Sequence, residues 1–508
     1  MDTKTSMRPF PAINYSNNEV ALSDGQALWT YSELRQRIDR FASGLLGKER
    51  DLKEERIAFF IPASVDYVTT LLGVWRAGGI AVPLNTASAM PEIEYALSSA
   101  RVTRLVLSIS SNPESLLPLH SLCKALNIQV INVSELLSDK IVVMPELQLE
   151  RRAMMLFTSG TTNKPKGVVT THGNIRAQIL ALLEAWKWQS DDVIPLFLPL
   201  HHIHGIINVL CCGLWIGAKI VLFPKFDMNQ IMKNVEDRDY TVFMAVPTVY
   251  VKIISYLDTL SQPRRQRICA GFKAMRLNIS GSAACPVKLY RQWQELTGQT
   301  LLERYGMTEI GMGLSNPYHG ERRPGAVGKA LPGVEVALFD EDGKIIDSDD
   351  IPGEIRVKGE NVFLEYWDNP RATEESFKDG WFCTGDIAVR ETGYFRIMGR
   401  SSVDIIKSGG YKLSALEIEG TLLTHPKIQE CAVVGMPDET WGEAVTAFVV
   451  LKAEQELDYK ALKYWCETRM SAYKVPKSLH LMTELPRNAM GKVTKPSLKA
   501  LGVSGGLT

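Results

Sequence analysis

The 508-residue sequence predicts an α/β protein. A large N-terminal domain of stacked α/β sheets ends in a small β-rich subdomain, and a smaller α+β C-terminal domain follows. Three observations carry this. Short apolar or β-branched runs alternate with helical stretches through the first 310 residues, which implies parallel sheets covered by helices. After Gly325 the runs become short and are separated by Gly/Asp turns. From Arg400 onward strands and helices mix again, over enough chain for a compact domain.

The elements follow in order. Strands are expected at Ile57–Ile61, Ile80–Pro83, Leu105–Ser108, Ile128–Val133, Met154–Phe157, Val193–Leu198, Lys219–Phe223, Val242–Val246 and Met275–Ile279. Helical patterns at Val65–Ala77, Ile175–Trp188 and Val287–Thr297 lie between them. Nine or more strands exceed one comfortable sheet, so two stacked α/β subdomains are expected. The β-rich stretch holds Val334–Phe339, Gly353–Lys358, Phe382–Val389 and Gly393–Met398, with hairpin turns at DEDGK (340–344) and ETGYF (391–395). In the last part, strands near Ile405, at Ala432–Val434 and at Ala447–Leu451 accompany helices at Ala415–Leu423 and Tyr459–Met470. The division falls into 1–399 and 400–508, with no internal repeat and no low-complexity tract.

Composition excludes several classes. Hydrophobic residues make up 45% and charged residues 22%, which is not the make-up of a disordered chain. Lysine plus arginine equals aspartate plus glutamate, 57 each, so binding of nucleic acid by bulk charge is not expected. Eight cysteines without a CxxC are too few for a disulfide framework, so a reducing, cytoplasmic setting is expected. The N-terminus lacks a basic stretch followed by an apolar core, and no apolar run reaches the length of a spanning helix.

The sharpest chemical signal is Phe157-Thr-Ser-Gly-Thr-Thr-Asn-Lys-Pro-Lys-Gly167. Hydroxyl residues and glycines follow a strand, and lysines come next. Such a loop offers N–H groups, hydroxyls and ammonium groups to a polyphosphate, and the competing reading is a flexible Gly/Ser surface loop. GxxxxGK[ST] is absent, so this is not a P-loop.

The loop resembles the phosphate loop of the adenylate-forming superfamily, which includes acyl-CoA synthetases, firefly-type luciferases and peptide-synthetase adenylation domains. Further matches follow in the family's order over nearly the whole chain. They are Tyr305-Gly-Met-Thr-Glu309, Thr384-Gly-Asp386, Gly399-Arg400 with Ser408-Gly-Gly-Tyr411, and Pro486-Arg-Asn-Ala-Met-Gly-Lys492. Leu302–Glu309, Ser315–Tyr318, Arg323–Gly328 and Leu200-His-His-Ile-His-Gly205 are similar to the malonyl-CoA and methylmalonyl-CoA synthetase subgroup.

The resemblance implies site residues. Thr158, Ser159, Gly160, Thr161, Thr162 and Lys166 would cradle the phosphates of ATP. Gly281, Ser282, Ala283, Glu303, Tyr305 and Gly306 would surround adenine, with Tyr305 flat against it. Asp386 would take the ribose hydroxyls, with Arg400 beside it, and Thr308 would touch the α-phosphate. Glu309 would hold Mg²⁺, which takes one or two protein carboxylates plus phosphate and water oxygens. Joining a carboxylate to AMP brings two anions together, and Lys492 would place a positive charge between them. The C-terminal domain would be mobile, turning about Arg400–Ser402 to bring Lys407, Gly409 and Gly410 to CoA.

Arg304 directly precedes the YGMTE segment, beside the expected acyl pocket with Met307. A buried arginine needs an anionic partner. A second carboxylate on the substrate would supply one, while Glu303 or Glu309 is the structural alternative. His202 is expected to line the same pocket. His201, His202 and His204 lack further ligands at metal spacing, so a zinc site is not expected.

The reading is an ATP- and Mg²⁺-dependent carboxylate–CoA ligase that forms an acyl-adenylate and then a thioester, with malonate or methylmalonate as the acid. The alternatives are a synthetase for short or medium monocarboxylates and an adenylating enzyme that loads a carrier protein. No carrier serine motif follows, which favours free CoA as acceptor. The expected partners are a small carboxylate, ATP and CoA; no nucleic acid and no transmembrane segment are expected, and oligomeric state is left open.

Overall fold

The computed structural model describes residues 18–25, 27–108, 113–158, 165–401, 403–408, 411–487 and 493–503. A seven-stranded sheet runs in the order Glu365–Tyr366, Lys166–Thr171, Arg152–Thr158, Ile80–Pro83, Arg56–Phe60, Arg104–Leu107 and Gln129–Asn132. The last five strands are parallel, and Lys166–Thr171 turns back antiparallel on Arg152–Thr158. The phosphate loop therefore joins two antiparallel strands, with Thr158 and Lys166 as register partners at its base.

A second sheet orders Leu28–Thr30, Val20–Ser23, Lys219–Leu222 and Val193–Leu196. A third orders Val242–Ala245, Leu277–Ser280, Leu302–Met307, Gly311–Ser315 and Lys329–Ala330. The Thr241 N–H donates to the Val193 carbonyl at 2.9 Å and ties these two sheets edge to edge. The nine expected strands are all present, each within two residues at either end. Local chemistry sets the helix starts between them. Ser64 caps Val65–Arg76 by accepting from the Tyr67 N–H at 3.3 Å, and Thr30 and Glu33 form a reciprocal capping box on Tyr31–Leu46. These two helices bury Phe41, Tyr67, Leu71 and Trp75 in the main core, and the Trp75 indole donates to the Ala153 carbonyl at 2.6 Å.

His201 and His202 lie in the turn between strand Val193–Leu196 and a π-helical segment, His204–Cys211, which is buried along its whole length. The wider π turn changes which side chains share a face, so 3.6-residue spacing does not predict what His204 meets.

The β-rich part is an antiparallel sheet of Val334–Phe339, Gly353–Gly359, Trp381–Glu391 and Phe377–Lys378, with Tyr394–Arg400 paired to Trp381–Glu391. After it, Tyr411–Ser414, Ile405–Ser408, Gly442–Leu451 and Ile428–Asp438 form a sheet, with Ser478–Leu481 parallel to Gly442–Leu451. Helices Ala415–Leu422 and Tyr459–Glu467 pack on it around Ile418, Val433, Val445, Ala447 and Leu462, a core separate from those of the large domain. The eight cysteines are free, and no helix among the described residues is long and apolar enough to cross a membrane.

Candidate active site

Tyr305, Asp386 and Arg400 come together from three strands. Asp386 and Arg400 are register partners on adjacent antiparallel strands. The Tyr305 hydroxyl donates to Asp386 Oδ2 at 2.5 Å, and Arg400 Nε lies 3.0 Å from Asp386 Oδ1. Burial raises the proton affinity of the Asp386 carboxyl, and the Arg400 charge opposes that shift. The ring of Tyr305 is half-buried, while Asp386 is only 6% exposed.

Glu309 is also 6% exposed. The Tyr366 hydroxyl donates to Glu309 Oε1 at 3.0 Å, and the ammonium of Lys166 stands 4.6 Å from the centre of the Tyr366 ring. Tyr366 thus joins the base of the phosphate loop to the carboxylate. Burial pushes the Glu309 carboxyl up, with Arg400 and Lys166 pulling it down. Tyr366 was not singled out from sequence, because a tyrosine on a two-residue edge strand carries no local signal.

Arg304 is 4% exposed and pairs with no carboxylate among the described residues. Glu303 is its strand neighbour, and successive residues point to opposite faces. The Glu303 carboxylate instead accepts from the Gly325 N–H at 2.9 Å, and that of Glu309 meets Tyr366. The guanidinium reaches Ser282 Oγ at 3.3 Å through Nη2, and its Nε has no partner among the described residues. Desolvation without a compensating anion lowers it to about 9.

Ser282 Oγ also lies 3.0 Å from Nδ1 of His204, whose Nε2 likewise has no partner among the described residues. Burial and the Arg304 charge both hold His204 neutral. Ser282, expected at an adenine edge, therefore has its hydroxyl between His204 and Arg304. Gly281 makes this possible: a Cβ there would come within 2.5 Å of Arg304 Cζ.

The three residues make a cationic cluster in which the Arg304 Nε–H has no partner among the described residues, at home with a carboxylate or another small anion. The rings of His201 and His202 are tilted against each other with centres 4.2 Å apart, and the Arg304 charge acts on His204. No group of three or more His, Cys, Asp or Glu among the described residues could hold a metal.

Gly306 and Met307 close the strand that carries Arg304 and Tyr305, with Thr308 in the turn that follows and Ala283 after Ser282. Lys407 lies on Ile405–Ser408, 3.7 Å from Glu341 of the large domain. Ser159, Gly160, Thr161, Thr162, Ser402, Gly409, Gly410 and Lys492 lie outside the described residues.

The AMP-binding enzyme family matches residues 12–367, and the AMP-binding enzyme C-terminal domain matches 417–492. A mitochondrial malonate–CoA ligase of Bos taurus is 41% identical over 520 residues, covering 95% of this chain and 88% of its own length. The malonate–CoA ligase of Arabidopsis thaliana is 38% identical, covering 88% of this chain and 78% of its own. Among solved structures, ATP-bound MatB from Rhodopseudomonas palustris aligns with a TM-score of 0.86 at 32% identity, covering 96% of this chain and 97% of its own. A malonyl-CoA ligase ternary product complex with methylmalonyl-CoA and AMP aligns at 0.69 and 32%, covering 94% and 100%. The chain belongs to the AMP-binding, adenylate-forming enzymes, in their malonate–CoA ligase subgroup.

Proposed function

We propose that this protein is an AMP-forming malonate–CoA ligase. The observation that carries the choice of acid is Arg304, a buried cation whose described neighbours are a serine hydroxyl and a neutral histidine. A monocarboxylate would leave that charge unmatched. A dicarboxylate short enough to reach the α-phosphate with its other end would place its distal carboxylate on Arg304, His204 and Ser282.

In the first half-reaction, a carboxylate oxygen of malonate attacks the α-phosphorus of ATP and pyrophosphate leaves. Asp386 accepts from the ribose hydroxyls while Tyr305 bounds the adenine face. Thr158 and Lys166 hold the base of the phosphate-cradling loop, and Thr308 follows the strand that presents the acyl pocket. Lys492 supplies positive charge to the reacting oxygens. Mg²⁺ would sit at Glu309, since one buried carboxylate beside phosphate-bearing substrate suits an ion that completes its shell with phosphate and water, and it would neutralise charge on the departing pyrophosphate. In the second half-reaction, the CoA thiol attacks the acyl carbonyl and AMP leaves, with Lys407, Gly409 and Gly410 on the CoA side. The free cysteines fit a reducing compartment, the cytosol or, by analogy with the mitochondrial relatives, an organelle matrix.

The test is a screen of acetate, malonate, methylmalonate, succinate and octanoate with ATP, Mg²⁺ and CoA, reading AMP and thioester. Malonate, with or without its methyl group, is expected to lead. A preference for octanoate or acetate would overturn the choice of acid.

A further inference from the structure

Lys495 is 7% exposed at the start of helix Lys495–Val503. Its ammonium lies 2.5 Å from Asp404 Oδ1 and 2.7 Å from Glu419 Oε1. The second oxygen of Asp404, Oδ2, accepts the backbone N–H of Arg400 at 3.0 Å. Arg400 in turn holds Asp386 with its side chain at 3.0 Å. One unbroken chain of charged and hydrogen-bonded groups thus runs from the candidate ribose carboxylate, through the expected hinge, to a helix of the small domain.

The two ends of this chain are distinctive. Arg400 closes the last strand of the β-rich sheet, and Asp404 lies four residues on, beyond the expected pivot. The Arg400–Asp404 contact therefore spans the pivot, and turning the chain there separates its partners. At the other end, Lys495 follows Lys492 by three residues. The Thr494 N–H donates to the Pro486 carbonyl at 2.8 Å, and Arg487 and Val493 form a bridge. The chain thus enters and leaves the stretch that carries Lys492 side by side, directly before Lys495. Asp404 is also seated without play: a Cβ on Gly399 would come within 2.3 Å of Asp404 Cβ.

We propose that Asp404 and Lys495 are positioning residues that latch the small domain in the adenylating arrangement. Asp404 holds the large-domain side of the hinge through the Arg400 N–H, and it holds the base of the Lys492 stretch through Lys495. Glu419 and Asp404 both travel with Lys495, so the ammonium stays paired during rotation. The thioester-forming arrangement does without the Arg400–Asp404 bond. This rests on the ligase reading and on rotation about Arg400–Ser402.

The test compares half-reactions in the full-length enzyme: malonate-dependent exchange of labelled pyrophosphate into ATP, and transfer from supplied malonyl-adenylate to CoA. Asp404→Asn keeps the Lys495–Glu419 pair, but whichever way its amide turns, one of the two contacts becomes donor against donor. Exchange should fall roughly 10- to 100-fold while transfer stays within about 3-fold of wild type. Lys495→Arg, which keeps the charge, should retain most of the exchange. Equal loss of both half-reactions, with a lowered melting temperature, would make the cluster merely structural and overturn the latch, as would unchanged exchange in Asp404→Asn. Wild-type enzyme without exchange on any carboxylate overturns the ligase reading itself, and the latch with it.

Discussion

Arg304 and Lys495 are both buried cations, 4% and 7% exposed, yet their surroundings are opposite. Two carboxylates hold Lys495 and raise its proton affinity against the cost of burial. Arg304 has a hydroxyl and a neutral imidazole for company, its Nε has no partner among the described residues, and its proton affinity is lowered. A charge that burial has stripped of water is stabilised only by a counter-charge. Where the protein supplies that counter-charge, the cation organises structure. Where it does not, as at Arg304, the proposed substrate would bring the counter-charge with it.

The largest expected effect breaks this contrast at Arg304. Arg304→Leu should lower kcat/KM for malonate by roughly 30- to 1000-fold, the size of a lost buried charge pair. Activity on a monocarboxylate of similar length should hold or rise. Arg304→Lys should recover part of the malonate activity, since an ammonium lacks the planar fork. Uniform loss over all acids would assign Arg304 to the fold instead.

The next effect falls on stability. Lys495→Met leaves Asp404 and Glu419 buried without a cation, and should destabilise the small domain by about 2–3 kcal/mol in denaturant titration. Arg304→Leu should leave stability unchanged or raised in the same measurement. A matching loss in both variants would erase the distinction between the two cations.

A smaller effect sharpens the picture of how Arg304 is held. Gly281→Ala pushes a methyl group into the guanidinium and should lower kcat/KM for malonate roughly 10-fold. Combined with Arg304→Leu it should add little, since both act on one contact. Full additivity in a double-mutant cycle would separate Gly281 from acid recognition.

The smallest effect concerns Glu303, on the opposite face of the same strand. Burial raises its carboxyl to about 8 in the folded protein. The folded state then binds a proton that the unfolded state releases at its ordinary, lower value. This stability is present in acid and lost as pH rises toward and through about 8. Glu303→Gln keeps the acceptor for the Gly325 N–H and removes the titration. Its melting temperature should gain on that of wild type as pH rises from 5 to 8. An unchanging difference between pH 5 and pH 8 would show that the carboxyl does not titrate there.

Much of this architecture was legible in sequence because strands buried on both faces read as continuous apolar runs, as at Ile80–Pro83 and Val242–Ala245. Among the elements that went unread, one carried a signal. The Thr30-to-Glu33 capping box announced helix Tyr31–Leu46, and the short pair Val20–Ser23 and Leu28–Thr30 preceded it. The π-helix after His202 had no signal to read, since its hydrogen-bond pattern depends on the walls around it.

By itself the sequence determined much of the order of strands and helices, the motifs that carry Tyr305, Glu309, Asp386 and Arg400, proposed here to face ATP, and the presence of an arginine before YGMTE. These depend on neighbours within a few positions. Only the tertiary structure decided that Arg304 escapes both Glu303 and Glu309, that Ser282 and His204 meet it, and that Asp404 joins Arg400 to Lys495. Each of these outcomes depends on groups brought together from distant segments. Whether a buried charge is satisfied is a property of that assembly, not of the residues beside it in the chain.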